Sequence, residues 1–300
     1  MPFPKSTRII KTDFLRTGFG EEDITEQQYT EAEINYNEAG KILIEKHFNV
    51  DGDMESSVEN EYDAQGRVVS SAQYDETGEL CQRNIFIYDE EGRILRKGCF
   101  YGEGAPEYAT VYVYEEDRLI REDAYDEDEF SCTEKAYEHD DAGHVIKTVE
   151  YDEDGNVLYR TIDEYDENGR LAQRLREEPQ EHDSRTFAYA YDEQGRKVKE
   201  LMYNFNGKLI AKSYFTYDED GQLVEQEDEN LDTYRRTTFD YDGEKCVKVS
   251  LFEKDGKELG WTEYEYDDRG NVAVQKNFIR DEVRPDNHRA AACVKYETEW

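Results

Sequence analysis

The sequence predicts an all-β fold: about twenty antiparallel strands in an up-and-down meander of 26-residue double-hairpin repeats, with the sheet curled on itself as an open barrel or a spiral. Three observations carry this. A Tyr-Asp-x-x-Gly signature returns every 26 residues, a looser turn falls about halfway between, and aromatic residues sit at fixed places relative to both. Following the first Tyr of each unit gives Tyr36, Tyr62, Tyr88, Tyr114, His139, Tyr165, Tyr191, Tyr217, Tyr241 and Tyr266, ten units with one or two residues of drift per step. A period of this size marks a repeat array.

The turns come first. Asp bends the chain through local side-chain to backbone hydrogen bonds and Gly supplies positive φ without steric cost, so Tyr62-Asp63-Ala64-Gln65-Gly66 reads as a hairpin loop. The second turns are of the same kind, as at Tyr74-Asp75-Glu76-Thr77-Gly78 and Tyr203-Asn204-Phe205-Asn206-Gly207. Spacings alternate between 12 and 14 residues, which leaves 7 to 9 between turns, a strand and too short for a packed helix. Successive loops therefore fall on opposite edges of the sheet.

The strands follow by parity. Two residues before the first Tyr come Phe86, Tyr112, Tyr137, Tyr189, Phe215, Phe239 and Tyr264, and six residues after it come Ile42, Val68, Ile94, Val145, Leu171, Leu223, Val247 and Val272. Strict alternation puts all of these on one apolar face and Arg170, Arg174 and Arg176 on an opposite, wet face. No stretch has the helical period to cover an apolar face, so the sheet must curl. Tyr suits such a wall, because its ring packs while its hydroxyl reaches water.

Composition agrees. Lys plus Arg is 37 against 74 Asp plus Glu, a formal charge of −37. High charge with low hydrophobicity is a signature of disorder, but 24 Tyr and 13 Phe placed periodically argue for order. The ends lack the period. Residues 1–31 and 281–300 are expected to cap an array over 32–280, and Ala290-Ala291-Ala292 suggests a short helix across one end.

The units Tyr88-Asp89-Glu90-Glu91-Gly92-Arg93-Ile94 and Tyr165-Asp166-Glu167-Asn168-Gly169-Arg170-Leu171 resemble the Rhs or YD-repeat family, over roughly residues 32 to 280. That resemblance implies β-hairpins wound into a hollow shell, as around the toxin domain of polymorphic toxins and in teneurins. The chain differs in being shorter than those shells and in lacking their Pro- and Gly-rich boundary motif and toxin domain. The resemblance therefore informs fold more than function.

One rim is regular and the other is diversified. Second turns degrade at Tyr101-Gly102-Glu103-Gly104, at Tyr125-Asp126-Glu127-Asp128-Glu129, at Glu177-Glu178-Pro179-Gln180-Glu181-His182-Asp183 and at Asp228-Glu229-Asn230-Leu231-Asp232. Variation on one edge of a repeat protein is often where binding lives, although loops also tolerate drift. The partner-binding candidates are therefore Glu103, Tyr125, Asp126, Glu127, Asp128, Glu177, Glu178, Glu181, Asp183, Asp228, Glu229 and Asp232. Acidic rims steer basic partners and repel nucleic acid and anionic membrane, and they also keep a long β-protein soluble.

The other chemistries are weak. Asp152-Glu153-Asp154-Gly155-Asn156 is too short for a twelve-residue calcium loop, and no metal or cofactor is expected. Cys81, Cys99, Cys132, Cys246 and Cys293 lack zinc spacing and read as free thiols. With no signal-like apolar segment at the start, they point to the cytoplasm. His47, His139, His144, His182 and His288 are scattered along the array, with His139 merely filling the Tyr place of its turn, so no catalytic constellation assembles.

The expectation is a non-enzymatic acidic binding protein, monomeric when free. Its most concrete form is a cytoplasmic immunity protein that neutralises a basic toxin domain such as a nuclease or deaminase. The alternative is a structural shell or scaffold segment.

Overall fold

The computed structural model describes residues 3–20, 23–102, 106–281, 283–284 and 287–300. Its strands are β1 (Ser6–Arg16), β2 (Ile24–Tyr36), β3 (Ile42–Phe48), β4 (Met54–Tyr62), β5 (Val68–Tyr74), β6 (Leu80–Tyr88), β7 (Ile94–Phe100), β8 (Tyr108–Glu115), β9 (Arg118–Asp126), β10 (Ser131–His139) and β11 (Val145–Asp152). They continue as β12 (Val157–Tyr165), β13 (Leu171–Glu178), β14 (Asp183–Tyr191), β15 (Lys197–Asn204), β16 (Leu209–Tyr217), β17 (Leu223–Asn230), β18 (Tyr234–Asp242), β19 (Lys245–Phe252), β20 (Glu258–Tyr266), β21 (Val272–Arg280) and β22 (His288–Glu299). The single helical turn among the described residues is Pro179–Glu181.

Each strand pairs antiparallel with the next, and β1 also pairs with β22 from Ser6↔Glu299 to Asp13↔Ala292. The sheet is therefore a closed 22-stranded barrel. The segments that sequence set apart as 1–31 and 281–300 supply β1, the first part of β2, and β22. The helix expected at Ala290 to Ala292 is not formed. Those residues lie in β22, where Ala290 pairs with Phe278 and Ala292 with both Asn277 and Asp13. Two ladders of backbone hydrogen bonds outweigh the small helix preference of three alanines.

Closure leaves the interior wet. Twenty-two strands spaced about 4.8 Å apart give a ring on the order of 30–40 Å across, depending on tilt, too wide for side chains to fill. The solvent-accessible surface is 18,692 Å², whereas a compact monomer of this size exposes about 13,000 Å². Among the described residues the buried apolar side chains are Ala32, Ala72, Ala109, Val149 and Val294, and no large side chain is fully buried. Stability comes from ladders and from side chains packed along the sheet, not from a central core.

The two-face pattern needs a correction. At all ten repeat-leading positions the ladder slips by one residue, as where Glu61 pairs with Ser70 but Tyr62 pairs with Val68. Val69 is the extra residue of a β-bulge, and a bulge inverts alternation beyond it. Val68 therefore shares a face with Tyr62, while Tyr74 at the far end of the same strand lies on the other face. The apolar character changes faces halfway up the wall. It is carried by the Tyr ladder at one end and by Phe48, Tyr74, Phe100, Tyr151, Tyr203 and Phe252 on the opposite face at the other. For the same reason Arg174 and Arg176 lie on the tyrosine face, paired in the ladder with Asp163 and Thr161. There Arg174 grips the buried Asp163 through two nitrogens, at 2.7 and 2.5 Å.

Candidate functional site

The alternating hairpins put ten loops at one end of the barrel, the tyrosine rim, and eleven at the other. Both ends use one turn. At the tyrosine rim Asp166 Oδ1 accepts the backbone N–H groups of Asn168 and Arg170, each at 2.9 Å, and Gly169 takes φ of 74°. At the opposite rim Asp152 Oδ1 accepts from Asp154 at 3.0 Å and Asn156 at 2.8 Å, with Gly155 at φ of 79°. The donors hold the turn carboxyls below the usual carboxylate range. For Asp166 the leading cause is the Arg170 side chain, and for Asp152 it is the Asn156 side chain.

The tyrosine rim adds a second layer. Arg170 Nε donates to Asp166 Oδ2 at 2.7 Å, and its guanidinium lies 4.8 Å from the ring centre of Tyr191 in the next unit. Nη1 reaches the carbonyl of Asp192 at 3.4 Å, and Tyr191 Oη donates back to the Leu171 carbonyl at 2.8 Å. One unit's arginine thus clamps the next unit's tyrosine and turn. Arg67 over Tyr88, Arg93 over Tyr114 and Arg196 over Tyr217 repeat the arrangement at 4.6, 4.8 and 4.7 Å. Lys41 and Lys245 serve over Tyr62 and Tyr266, and His144 stacks on Tyr165 at 4.5 Å. Burial is the leading cause that raises the hydroxyl pKa of Tyr114, Tyr165, Tyr241 and Tyr266.

This clamp was not foreseen from sequence, although its signal is there. The residue after the turn Gly is basic at Lys41, Arg67, Arg93, His144, Arg170 and Arg196. Its meaning needs the neighbouring unit in space.

The partner-binding candidates are distributed along an arc of the opposite rim rather than gathered into one patch. Glu103 lies outside the described residues. Several of the others are already engaged. Glu177 pairs with Arg160 at 2.5 Å, Glu178 with Arg176 at 2.7 Å and Asp183 with Arg185 at 3.1 Å. Asp228 accepts from Ser213 at 2.5 Å and Gln226 at 2.8 Å, and Asp126 caps the amides of Asp128 and Phe130. Glu229 is bridged by Lys212 and Lys254, both at 2.8 Å, and these bonds pull its carboxyl down to about 2. Glu127, Asp128, Glu181 and Asp232 are exposed with no ion pair among the described residues. Tyr125 lines a recess of about 300 Å³ with Arg96, Pro106 and Val111. Among the described residues no group of three or more His, Cys, Asp or Glu is placed to hold a metal ion, and all five cysteines are free thiols.

Fold and rims together define a closed wall of Tyr-Asp hairpins, clamped unit to unit, of the kind that encloses space. The family model for the Teneurin YD-shell matches residues 21–281, and the chain belongs to that family. No curated protein is matched. Among solved structures the chain is similar to the TcdB2-TccC3-Cdc42 assembly, at 16% identity and a TM-score of 0.44 over 83% of this chain and 15% of that one. It is also similar to a porin-like protein from Bacteroides uniformis, at 10% identity and a TM-score of 0.37 over 99% and 98%. The chain spans about 15% of the length of the first of these.

Proposed function

We propose that this protein is a non-enzymatic shell or scaffold module, a short closed wall that shelters or presents a protein partner. The observation that carries the reading is closure: β1 pairs with β22 around a wide interior with no packed centre, within a family of shell walls. A wall of repeated ladders offers enclosure and a rigid edge.

The immunity reading drew on the acidic, variable rim. It is weakened because Glu177, Glu178, Asp183 and Glu229 are held by neighbouring cations, Asp126 by backbone amides and Asp228 by Ser213 and Gln226, and a carboxylate already paired gains less from a basic partner. A membrane wall is disfavoured as well. Glu61, Glu138, Glu164 and Glu265 are exposed on one face near the tyrosine rim, and Arg176, Arg185 and Arg235 on the other face near the opposite rim. Neither face offers the continuous apolar band that lipid requires. No described helix is long and apolar enough to cross a membrane, which says nothing of strands.

Small-angle scattering tests the shell. A hollow wall puts the most frequent interatomic distance beyond half the maximum dimension. A symmetric, sphere-like distribution would overturn the proposal.

A further inference from the structure

The two rims differ in apolar exposure as well as in clamping. Six of the eleven loops opposite the tyrosine rim hold out a large apolar side chain: Phe19 at 85% exposure, Val50 at 43%, Tyr101 at 48%, Phe130 at 67%, Phe205 at 65% and Leu231 at 66%. None of the ten tyrosine-rim loops does so. The exposed aromatic nearest that rim is Phe3, which precedes β1 and lies against Gly40. Exposed apolar residues are ordinary when scattered singly, as Leu43, Ile87 and Leu95 are on strands beside the tyrosine rim, but a set of loop tips all at one end of a barrel is a patterned surface.

Acidic residues flank the tips. Asp51 and Asp53 stand beside Val50, Glu127 to Glu129 beside Phe130, and Asp232 beside Leu231. This combination selects the occupant. An anionic lipid surface and a second copy of the same rim would both bring like charge against the ring. A protein face that carries apolar pockets among Lys and Arg satisfies both kinds of group.

We infer that the rim opposite the tyrosine rim is a docking edge for a basic protein face, anchored by the apolar tips and steered by the carboxylates beside them. The inference rests on the shell reading, because it gives that shell a docking end. The loops β15–β16 and β17–β18 present Phe205 and Leu231 on neighbouring hairpins of this rim.

The test uses the full chain and a defined probe, a fluorescently labelled peptide of alternating Lys and Leu, measured by anisotropy at low and moderate salt. Binding is expected to weaken about tenfold in the variant Phe130→Ser/Phe205→Ser/Leu231→Ser. It should slow and lose salt sensitivity in Glu127→Lys/Asp128→Lys. The wall variant Ile87→Ser/Leu95→Ser, which changes exposed strand residues away from this rim, should bind as the parent does. Circular dichroism confirms that each variant keeps its β-structure.

Equal weakening in rim and wall variants would overturn the inference. So would capture by phosphatidylcholine vesicles that depends on the tips, which indicates a membrane, or a sedimenting dimer lost in the triple variant, which indicates a second copy. The monomeric triple variant keeps the scattering profile of a hollow wall under each of these outcomes, so the docking edge and the shell fail separately.

Discussion

The loops at the two rims share one turn and differ in what covers the glycine. A Cβ built on Gly66, Gly92, Gly169 or Gly221 of the tyrosine rim would meet Lys41, Arg67, His144 or Arg196 within 3.3 Å. At Gly52, Gly78, Gly155, Gly207 and Gly256 of the opposite rim it would meet nothing within 4 Å. The first set of glycines serves both the backbone and the neighbouring repeat, and the second serves the backbone alone. Sequence regularity at one rim is thus a packing constraint between units. Variation at the other is the freedom of turns that answer only to themselves.

The largest test of that contrast is alkaline titration. Burial raises the hydroxyl pKa of Tyr112, Tyr189 and Tyr264 as well as that of Tyr114, Tyr165, Tyr241 and Tyr266. Their stabilisation is complete below the ordinary tyrosine pKa of about 10 and is lost as pH rises through the higher folded values. Cooperative unfolding above about pH 10, coincident with tyrosinate absorbance, is expected, with amides of the tyrosine rim exchanging first. Exchange beginning at the opposite rim would contradict the contrast.

Removing two adjacent clamps comes next. Arg170→Gln/Arg196→Gln should lower the melting temperature by more than the sum of the single variants, because the two arginines hold successive tyrosines of one ladder. Lys208→Gln/Lys257→Gln at the opposite rim should be nearly neutral.

A smaller effect separates the glycines. Gly78→Ala should cost about 1 kcal/mol from positive φ alone, and Gly92→Ala about twice that, since it also displaces Arg67 from Tyr88. Denaturant midpoints at constant slope would show it. Equal losses would mean that the clamp contributes little.

The smallest is Tyr191→Phe, which keeps the ring under Arg170 and removes only the hydroxyl bond to the Leu171 carbonyl, at about 1 kcal/mol.

Much of this was legible in the chain. The Tyr-Asp-x-x-Gly period fixes the hairpins and their alternation between two rims, because turn chemistry is local. What escaped was what depends on partners distant in sequence. The bulge at each leading Tyr shifts parity, so Arg174 meets Asp163 on the tyrosine face although alternation from Leu171 assigns it to the other. The role of Arg170 lies with Tyr191, in the following unit. The strand at Ala290 to Ala292 exists because Asp13 and Asn277 pair on either side of it. The described rim candidates share one end of the barrel, but pairs such as Glu177 with Arg160 show that a free carboxylate cannot be told from an engaged one by composition.

The seam between β1 and β22 bears on how the protein folds. Every other ladder joins neighbouring segments, whereas here Thr7 meets Thr298 across 291 positions of the chain. Bringing such distant ends together in an unstructured chain costs about 5 kcal/mol of entropy, a cost largely removed once the intervening hairpins have curved the sheet. Hairpins should therefore form progressively and the ring close last, as a distinct slow phase that a fluorescent pair on the two terminal strands would report.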